Sequence, residues 1–118
     1  MTVTLYLKKN CSTCTDARKH LAGQGVSFTE RELFKDPLTE AEIRELLGDR
    51  PATDLLSTKS PRFKELGLVG KAISHEECIR LMASEPYLIR RPTFTVGSEL
   101  VIGFDKARLD VVLGLAQV

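Results

Sequence analysis

The chain has 118 residues, of which 42% are hydrophobic and 28% are charged, and its formal net charge is +1. This length suits one domain with a real core and is short for two, and the near-neutral charge provides no overall basic field for a nucleic acid or an anionic membrane. The opening stretch "MTVTLYLKKN" lacks the pattern of a signal peptide, and no uncharged apolar run is long enough to span a bilayer. We therefore expect a single cytoplasmic domain over residues 1–118, with no direct nucleic-acid or membrane partner.

The first third of the chain predicts a strand, a helix and a second strand. "VTLYL" (Val3 to Leu7) alternates β-forming residues and is followed by a loop. From Thr13, "TCTDARKHLAGQG" repeats apolar residues at helical spacing and ends at two glycines. "VSFTEREL" (Val26 to Leu33) alternates again. A strand, a helix and a strand in this order predict a right-handed parallel crossover.

The middle of the chain predicts only helices. "LTEAEIRELLG" starts with Thr39 and Glu42 at the spacing of a capping box, and Ser74 with Glu77 repeats that spacing in "SHEECIRLMASEP". Between them, "DRPATDLLSTKSPRFKELGLVG" contains prolines and small polar residues, which are typical of one or two short helices.

The last third predicts a hairpin and a helix. "PTFTVGSELVIG" reads as two short strands about a turn at Gly97 and Ser98, and Asp105 caps the final helix. The whole order is βαβ, a helical block over about 38–90, and ββα. This order predicts an α/β fold of the thioredoxin or glutaredoxin type, with a small mixed sheet and a helical insertion between its halves.

Two cysteines, Cys11 and Cys14, lie two residues apart at the predicted junction of strand and helix. A reducing compartment and an odd cysteine count argue against a structural disulfide framework, which leaves a catalytic or metal role. A sulfur at the start of a helix is near unpaired N–H groups and the positive end of the helix dipole, which favours the thiolate. Cys11 is therefore the predicted nucleophile. Cys14 lies one turn further along, in register with Ala17 and Leu21 on the apolar face, so we expect it to be more buried and to be the resolving thiol.

Two other interpretations of the pair stay open. The cysteines are also compatible with idle thiols, or with half of a zinc site completed by His75 and Cys78. The apolar pattern of its helix favours Cys78 as a buried, inert thiol instead. His20 lies on the polar side of the first predicted helix, and we expect it to be solvated.

Four stretches, "NCSTCTDAR", "ERELFKDPLTEAEI", "LLSTKSPRFKELGL" and "LIRRPTF", resemble, in that order and nearly end to end, the family that contains the glutaredoxin-related arsenate reductases (ArsC) and the regulator Spx. The resemblance implies a thioredoxin-like fold and an active site that combines Cys11 with Arg91, which precedes Pro92. In such folds this proline is typically cis and faces the cysteine loop, so Pro92 would present Arg91 to Cys11. A guanidinium suits an oxyanion because it is a planar cation with several donors.

The chain departs from the family pattern at two positions. By the same resemblance, Ser57 and Gly103 stand where the single-cysteine reductases carry further arginines. Lys59 and Lys8 offer part of the replacement charge, although a lysine is a point charge and matches a tetrahedral oxyanion less well. Asn10, in the cysteine loop, is a further candidate for anion binding or loop positioning.

We therefore predict a thiol–disulfide oxidoreductase similar to arsenate reductase, which acts on a small oxyanion or thiol substrate. The resemblance implies no bound cofactor or metal, and glutathione with glutaredoxin, or thioredoxin, as the external reductant. The alternative is a redox-switched regulator of the Spx type, which binds the RNA polymerase α subunit. The glycine that Spx uses for this contact aligns with Ala52, and an added Cβ disfavours close approach.

Overall fold

The computed structural model describes residues 2–114. The backbone forms two compact units: the first combines Met1–Asp36 with Arg91–Val118, and the second is Pro37–Arg90. The single domain over residues 1–118, with an insertion over about 38–90, stays a prediction. Among the described residues, no helix has the length and apolar character needed to cross a membrane.

The first unit is a four-stranded mixed sheet with two helices. Strand β1 pairs in parallel with β2 and antiparallel with β3, and β3 pairs antiparallel with β4, so the strand order is β2-β1-β3-β4. The predicted βαβ and ββα halves, with a parallel crossover in the first, are confirmed. The elements are β1 Val3–Leu7, α1 Ser12–Gly23, β2 Thr29–Glu32, β3 Thr93–Val96, β4 Glu99–Ile102 and α5 Lys106–Val112.

The core of this unit follows the predicted periodicities. Alternate residues of β1 are buried, and they pack with the apolar face of α1 and with Phe94 at the centre of the sheet. The Asp105 side chain accepts the Arg108 N–H and caps α5, as predicted. This packing fixes the start of α1 next to the end of β1, where the cysteine loop lies.

Strand β2 is shorter than predicted, because it covers Thr29–Glu32 and not Val26 to Leu33. Its N-terminal flank is bound to the preceding helix, since the Val26 N–H donates to the Leu21 carbonyl at 3.0 Å. At the other end, the Leu33 N–H reaches the carbonyl of Leu7, the last residue of β1, and the chain then turns. The pairing of β2 with β1 is therefore limited at one end by the C-terminus of α1 and at the other by the length of β1.

The second unit consists of helices, as predicted. Thr39 and Glu42 form a complete capping box, and the Ser74 hydroxyl accepts the Glu77 N–H. Ile79 is fully buried in the last α-helix of this unit, whereas Leu81 is half-buried. The elements are α2 Glu40–Leu47, a 3₁₀ helix Ala52–Asp54, α3 Pro61–Glu65, α4 His75–Ser84 and a 3₁₀ helix Pro86–Leu88.

Candidate active site

Cys11 is the N-cap residue of α1. Its backbone is extended, and its Sγ accepts the backbone N–H of Cys14 at 3.4 Å. The preceding residue, Asn10, has a φ of 64°, a left-handed conformation that asparagine tolerates better than most residues. The loop thus turns sharply at Asn10, and the sulfur of the half-buried Cys11 lies next to the Cys14 N–H in the first turn of the helix. Donors at a sulfur stabilise a negative charge on it.

Cys14 has a different environment from Cys11. It lies on the buried face of α1 and is 2% exposed. Burial raises its pKa to about 11, and a side-chain hydrogen bond with Cys11 and the charge of that residue act in the same direction. A backbone hydrogen bond from Lys8 and the positive charge of Arg91 lower the same pKa. The pair therefore combines an accessible sulfur at the helix start with a thiol that is protonated at neutral pH.

Arg91 is joined to Pro92 by a cis peptide bond directly before β3. Pro92 is buried, and its carbonyl accepts the Gly103 N–H at 2.8 Å. Arg91 belongs to the same unit as both cysteines, and its positive charge lowers the pKa of Cys14, whose N–H donates to the Cys11 sulfur. The cis proline expected from the resemblance is thus present.

Gly103 has a φ of 79°, in the left-handed region. An arginine there would meet a backbone conformation that residues with a Cβ adopt only at a cost. At this position, therefore, the chain lacks a positive charge that the reductase pattern carries, and its backbone conformation also disfavours an arginine.

Phe34 is a residue of this site that the sequence reasoning missed. The Nζ of Lys8 and the Cζ of Arg91 each lie 5.7 Å from the centroid of its ring. Phe34 follows β2, and Lys8 follows β1, the parallel strand beside it. The carboxyl ends of adjacent parallel strands meet at one edge of a sheet, and this rule would have placed Phe34 near the cysteine loop.

Lys59 and Ser57, which were considered in the sequence analysis, belong to the second unit, and so does Arg90, the neighbour of Arg91. Lys59 is exposed, the Ser57 N–H donates to the Leu88 carbonyl at 2.6 Å, and the Arg90 guanidinium lies 3.4 Å from the Asp54 carbonyl. Lys59, Ser57 and Arg90 line a concavity of about 440 Å³ together with Thr53, Asp54, Leu56 and Thr58. The expected part of Lys59 in anion binding stays a prediction.

His20 is not solvated, and this expectation was wrong. Its Nε2 lies 2.7 Å from Oδ1 of Asp110, its side chain is only 14% exposed, and its ring packs edge-on against Phe104. A residue on the polar side of a single predicted helix is expected to face solvent. Here Asp110 of α5 lies beside His20 of α1 instead. The partner is 90 residues away in the chain, so local spacing could not reveal it.

Cys78 is buried, as predicted, and burial raises its pKa. The Nδ1 of His75 accepts the Ala52 N–H at 3.3 Å. Within residues 2–114, no three or more His, Cys, Asp or Glu side chains form a cluster that could hold a metal ion. The zinc interpretation of the cysteine pair therefore has no ligand cluster in the described part of the chain.

Comparison with known proteins places this site in a family. The chain is 30% identical over 113 residues to the global transcriptional regulator Spx of Streptococcus pneumoniae, with 94% of this chain and 85% of that protein covered. The structure of an ArsC-family-related protein from Bacteroides fragilis matches with a TM-score of 0.84 at 27% identity, over 95% of this chain and 98% of that one. An arsenate reductase from Vibrio cholerae shares the fold, with a TM-score of 0.80 at 23% identity over 98% of both chains. The ArsC family model matches residues 6–112, and the chain therefore belongs to the ArsC family, with the thioredoxin-like fold.

Proposed function

We propose that the chain is a thiol–disulfide oxidoreductase that reduces a small oxyanion such as arsenate, with Cys11 as the nucleophile and Cys14 as the resolving thiol. The observation that carries this proposal is the asymmetry of the pair. The Cys11 sulfur caps α1 and is half-buried, whereas burial raises the pKa of Cys14 to about 11. Membership of the ArsC family supports it.

In the first step, the Cys11 thiolate attacks the arsenic atom of arsenate. A sulfur–arsenic bond forms, an arsenic–oxygen bond breaks, and the oxygen leaves as water after it takes up protons. A thiolate and an oxyanion repel each other, so the step needs a cation between them. The charge of Arg91 acts on Cys14, and its planar donors match a tetrahedral oxyanion, so Arg91 is the cation proposed for this role.

In the second step, the Cys14 thiolate attacks Sγ of Cys11. The disulfide bond forms as the sulfur–arsenic bond breaks, and the electron pair of that bond stays on arsenic, which leaves as arsenite. Cys14 must lose its proton for this step, and the positive charge of Arg91 lowers its pKa.

The disulfide is then reduced by thioredoxin, or by glutathione with glutaredoxin, which regenerates both thiols. The test is NADPH consumption with each of these systems and its NADPH-dependent reductase, with and without arsenate. Cys11→Ser should abolish arsenate-dependent consumption. Cys14→Ser should stop turnover with thioredoxin and trap a mixed disulfide between Cys11 and glutathione, while Cys78→Ser serves as the matched control. No arsenate-dependent consumption with either system would overturn the arsenate proposal.

A second candidate is a redox-switched regulator of the Spx type, favoured by the 30% identity to Spx over most of the chain. The sequence argument against it was the Cβ of Ala52, but Ala52 is 1% exposed and covered by residues of its own unit. Its side chain therefore has little surface with which to hinder a partner. Binding of the reduced and the oxidised protein to purified RNA polymerase α subunit tests this candidate. Redox-dependent binding without arsenate turnover would favour it over the reductase.

A further inference from the structure

The Phe34 ring lies beside two cations of the candidate site. Lys8 Nζ and Arg91 Cζ are each 5.7 Å from the ring centroid, so they lie within twice that distance of each other. A cation over an aromatic face within about 6 Å of the centroid is attracted by the ring quadrupole. Two like charges that repel each other are therefore both attracted to one ring.

The ring stands on a turn held by several hydrogen bonds. The Glu32 carboxylate accepts the N–H of Phe34 at 3.2 Å through one oxygen and the N–H of Lys35 at 2.7 Å through the other. The Asp36 N–H donates to the Glu32 carbonyl at 2.8 Å, and Nε of Arg31 donates to the Asp36 carbonyl at 3.0 Å. These hydrogen bonds form a turn directly after β2, so the backbone that carries the Phe34 ring is fixed at the edge of the sheet.

Lys8 and Arg91 both act on Cys14. The backbone of Lys8 forms a hydrogen bond with its thiol, and the positive charge of Arg91 lowers its pKa. The Cys14 N–H in turn donates to the Cys11 sulfur. The ring thus contacts the cations of two residues that act on the neighbour of the proposed nucleophile.

We propose that Phe34 is a positioning residue that holds Lys8 and Arg91 together as a two-cation subsite for the anionic group of the substrate. The inference rests on the proposed thiol chemistry only in taking Cys11 as the reacting atom. The ligand class is a small oxyanion or carboxylate, and its charge is what the two cations recognise. Without the ring, each cation loses an attraction that holds it near the other, and the repulsion between the two like charges is no longer offset at this place.

The probe is a competition between iodoacetate, which is anionic, and iodoacetamide, its neutral analogue of nearly the same shape. The reduced full chain is treated with an equal mixture, and the two products at Cys11 are measured by mass spectrometry and fragmentation of the tryptic peptide 10–18. Both reagents need the same Cys11 thiolate, so the product ratio reports attraction of the anion and not the amount of thiolate.

The variants are Phe34→Leu and Phe34→Met, which remove the ring, Phe34→Tyr, which keeps it, and Lys8→Met and Arg91→Met, which each remove a cation. The ratio of carboxymethylated to carbamidomethylated Cys11 should fall about two- to fivefold for each cation released, because one exposed cation–π contact is worth a factor of about that size. It should fall in Phe34→Leu and Phe34→Met and stay at the wild-type value in Phe34→Tyr. Adding Phe34→Leu to the Lys8→Met, Arg91→Met double variant should change nothing further.

A wild-type ratio in a ring-free variant that melts like the wild type would overturn the proposal, and so would an equal fall in Phe34→Tyr. The second ring-free variant covers the case in which Phe34→Leu does not fold. The measurement contains no arsenate and no reductase system. It therefore stands or falls independently of turnover in the NADPH assay.

Discussion

Cys11 and Cys14 should differ in alkylation rate by a factor that follows from the structure. Raising the pKa of Cys14 from 9.0 to about 11 lowers its thiolate fraction at neutral pH about 100-fold relative to an ordinary thiol. Cys14 is also 2% exposed, which hinders the reagent further. At pH 7 we therefore expect iodoacetamide to modify Cys11 first and Cys14 more than about 100-fold more slowly.

The informative perturbation is Cys11→Ser. It removes the charge of Cys11, but burial, the largest cause of the raised pKa of Cys14, remains. The pKa of Cys14 should then lie below about 11 and still above 9.0. The assay follows alkylation of Cys14 from pH 7 to 11 by peptide mapping in the wild type and in Cys11→Ser, with the buried Cys78 as an internal reference.

Two results would refute this reasoning. If Cys14 is modified first at pH 7 in the wild type, nucleophile and resolving thiol are exchanged. If the rate at Cys14 in Cys11→Ser levels off near pH 9, burial is not the main cause of the raised pKa.

Mild peroxide should join Cys11 and Cys14 in a reversible disulfide and leave Cys78 reduced, as mapped after alkylation, because two intervening residues allow the Cα separation of about 4.4–6.8 Å that a disulfide needs. Arg91→Ala should slow alkylation of Cys11 by iodoacetamide at neutral pH. Arg91→Lys should keep much of that rate while the KM for arsenate rises, with Arg90→Ala as the matched control. The free energy of unfolding, measured with denaturant, should fall as pH rises from about 9 to 11, and should fall less in Cys14→Ala. The sign follows because a thiol whose folded pKa is raised stabilises the fold below its unfolded pKa and loses that contribution as pH rises through the folded one.

Each of these expectations has a contrary outcome. A disulfide that includes Cys78, or stoichiometric zinc held by both thiols of the pair, would contradict the redox-pair assignment. Equal Cys11 alkylation rates in wild type, Arg91→Ala and Arg90→Ala would show that neither arginine acts on the sulfur. An unfolding free energy with the same pH dependence in wild type and Cys14→Ala would mean that Cys14 ionises alike in the folded and unfolded chain.

Local signals in the sequence were enough to predict most of the elements. The capping box of Thr39 and Glu42, the cap at Asp105 and the turn at Gly97 each depend on hydrogen bonds or backbone angles within a few residues. The periodicity of α1 likewise placed Cys14 on its buried face. Strand β2 was overestimated because its end depends on where β1 ends and not on its own residues.

The sequence by itself thus determined the order of strands and helices, the position of Cys11 at a helix start and the burial of Cys14 and Cys78. Only the tertiary structure decided that His20 contacts Asp110, and that the Lys8 and Arg91 cations both lie near the Phe34 ring. Helix caps and periodic apolar faces depend on residues only a few positions apart, so the spacing of residue types in the sequence is enough to predict them. The charges and rings around the sulfurs come from segments that meet only when the sheet assembles, and no local spacing contains those distances.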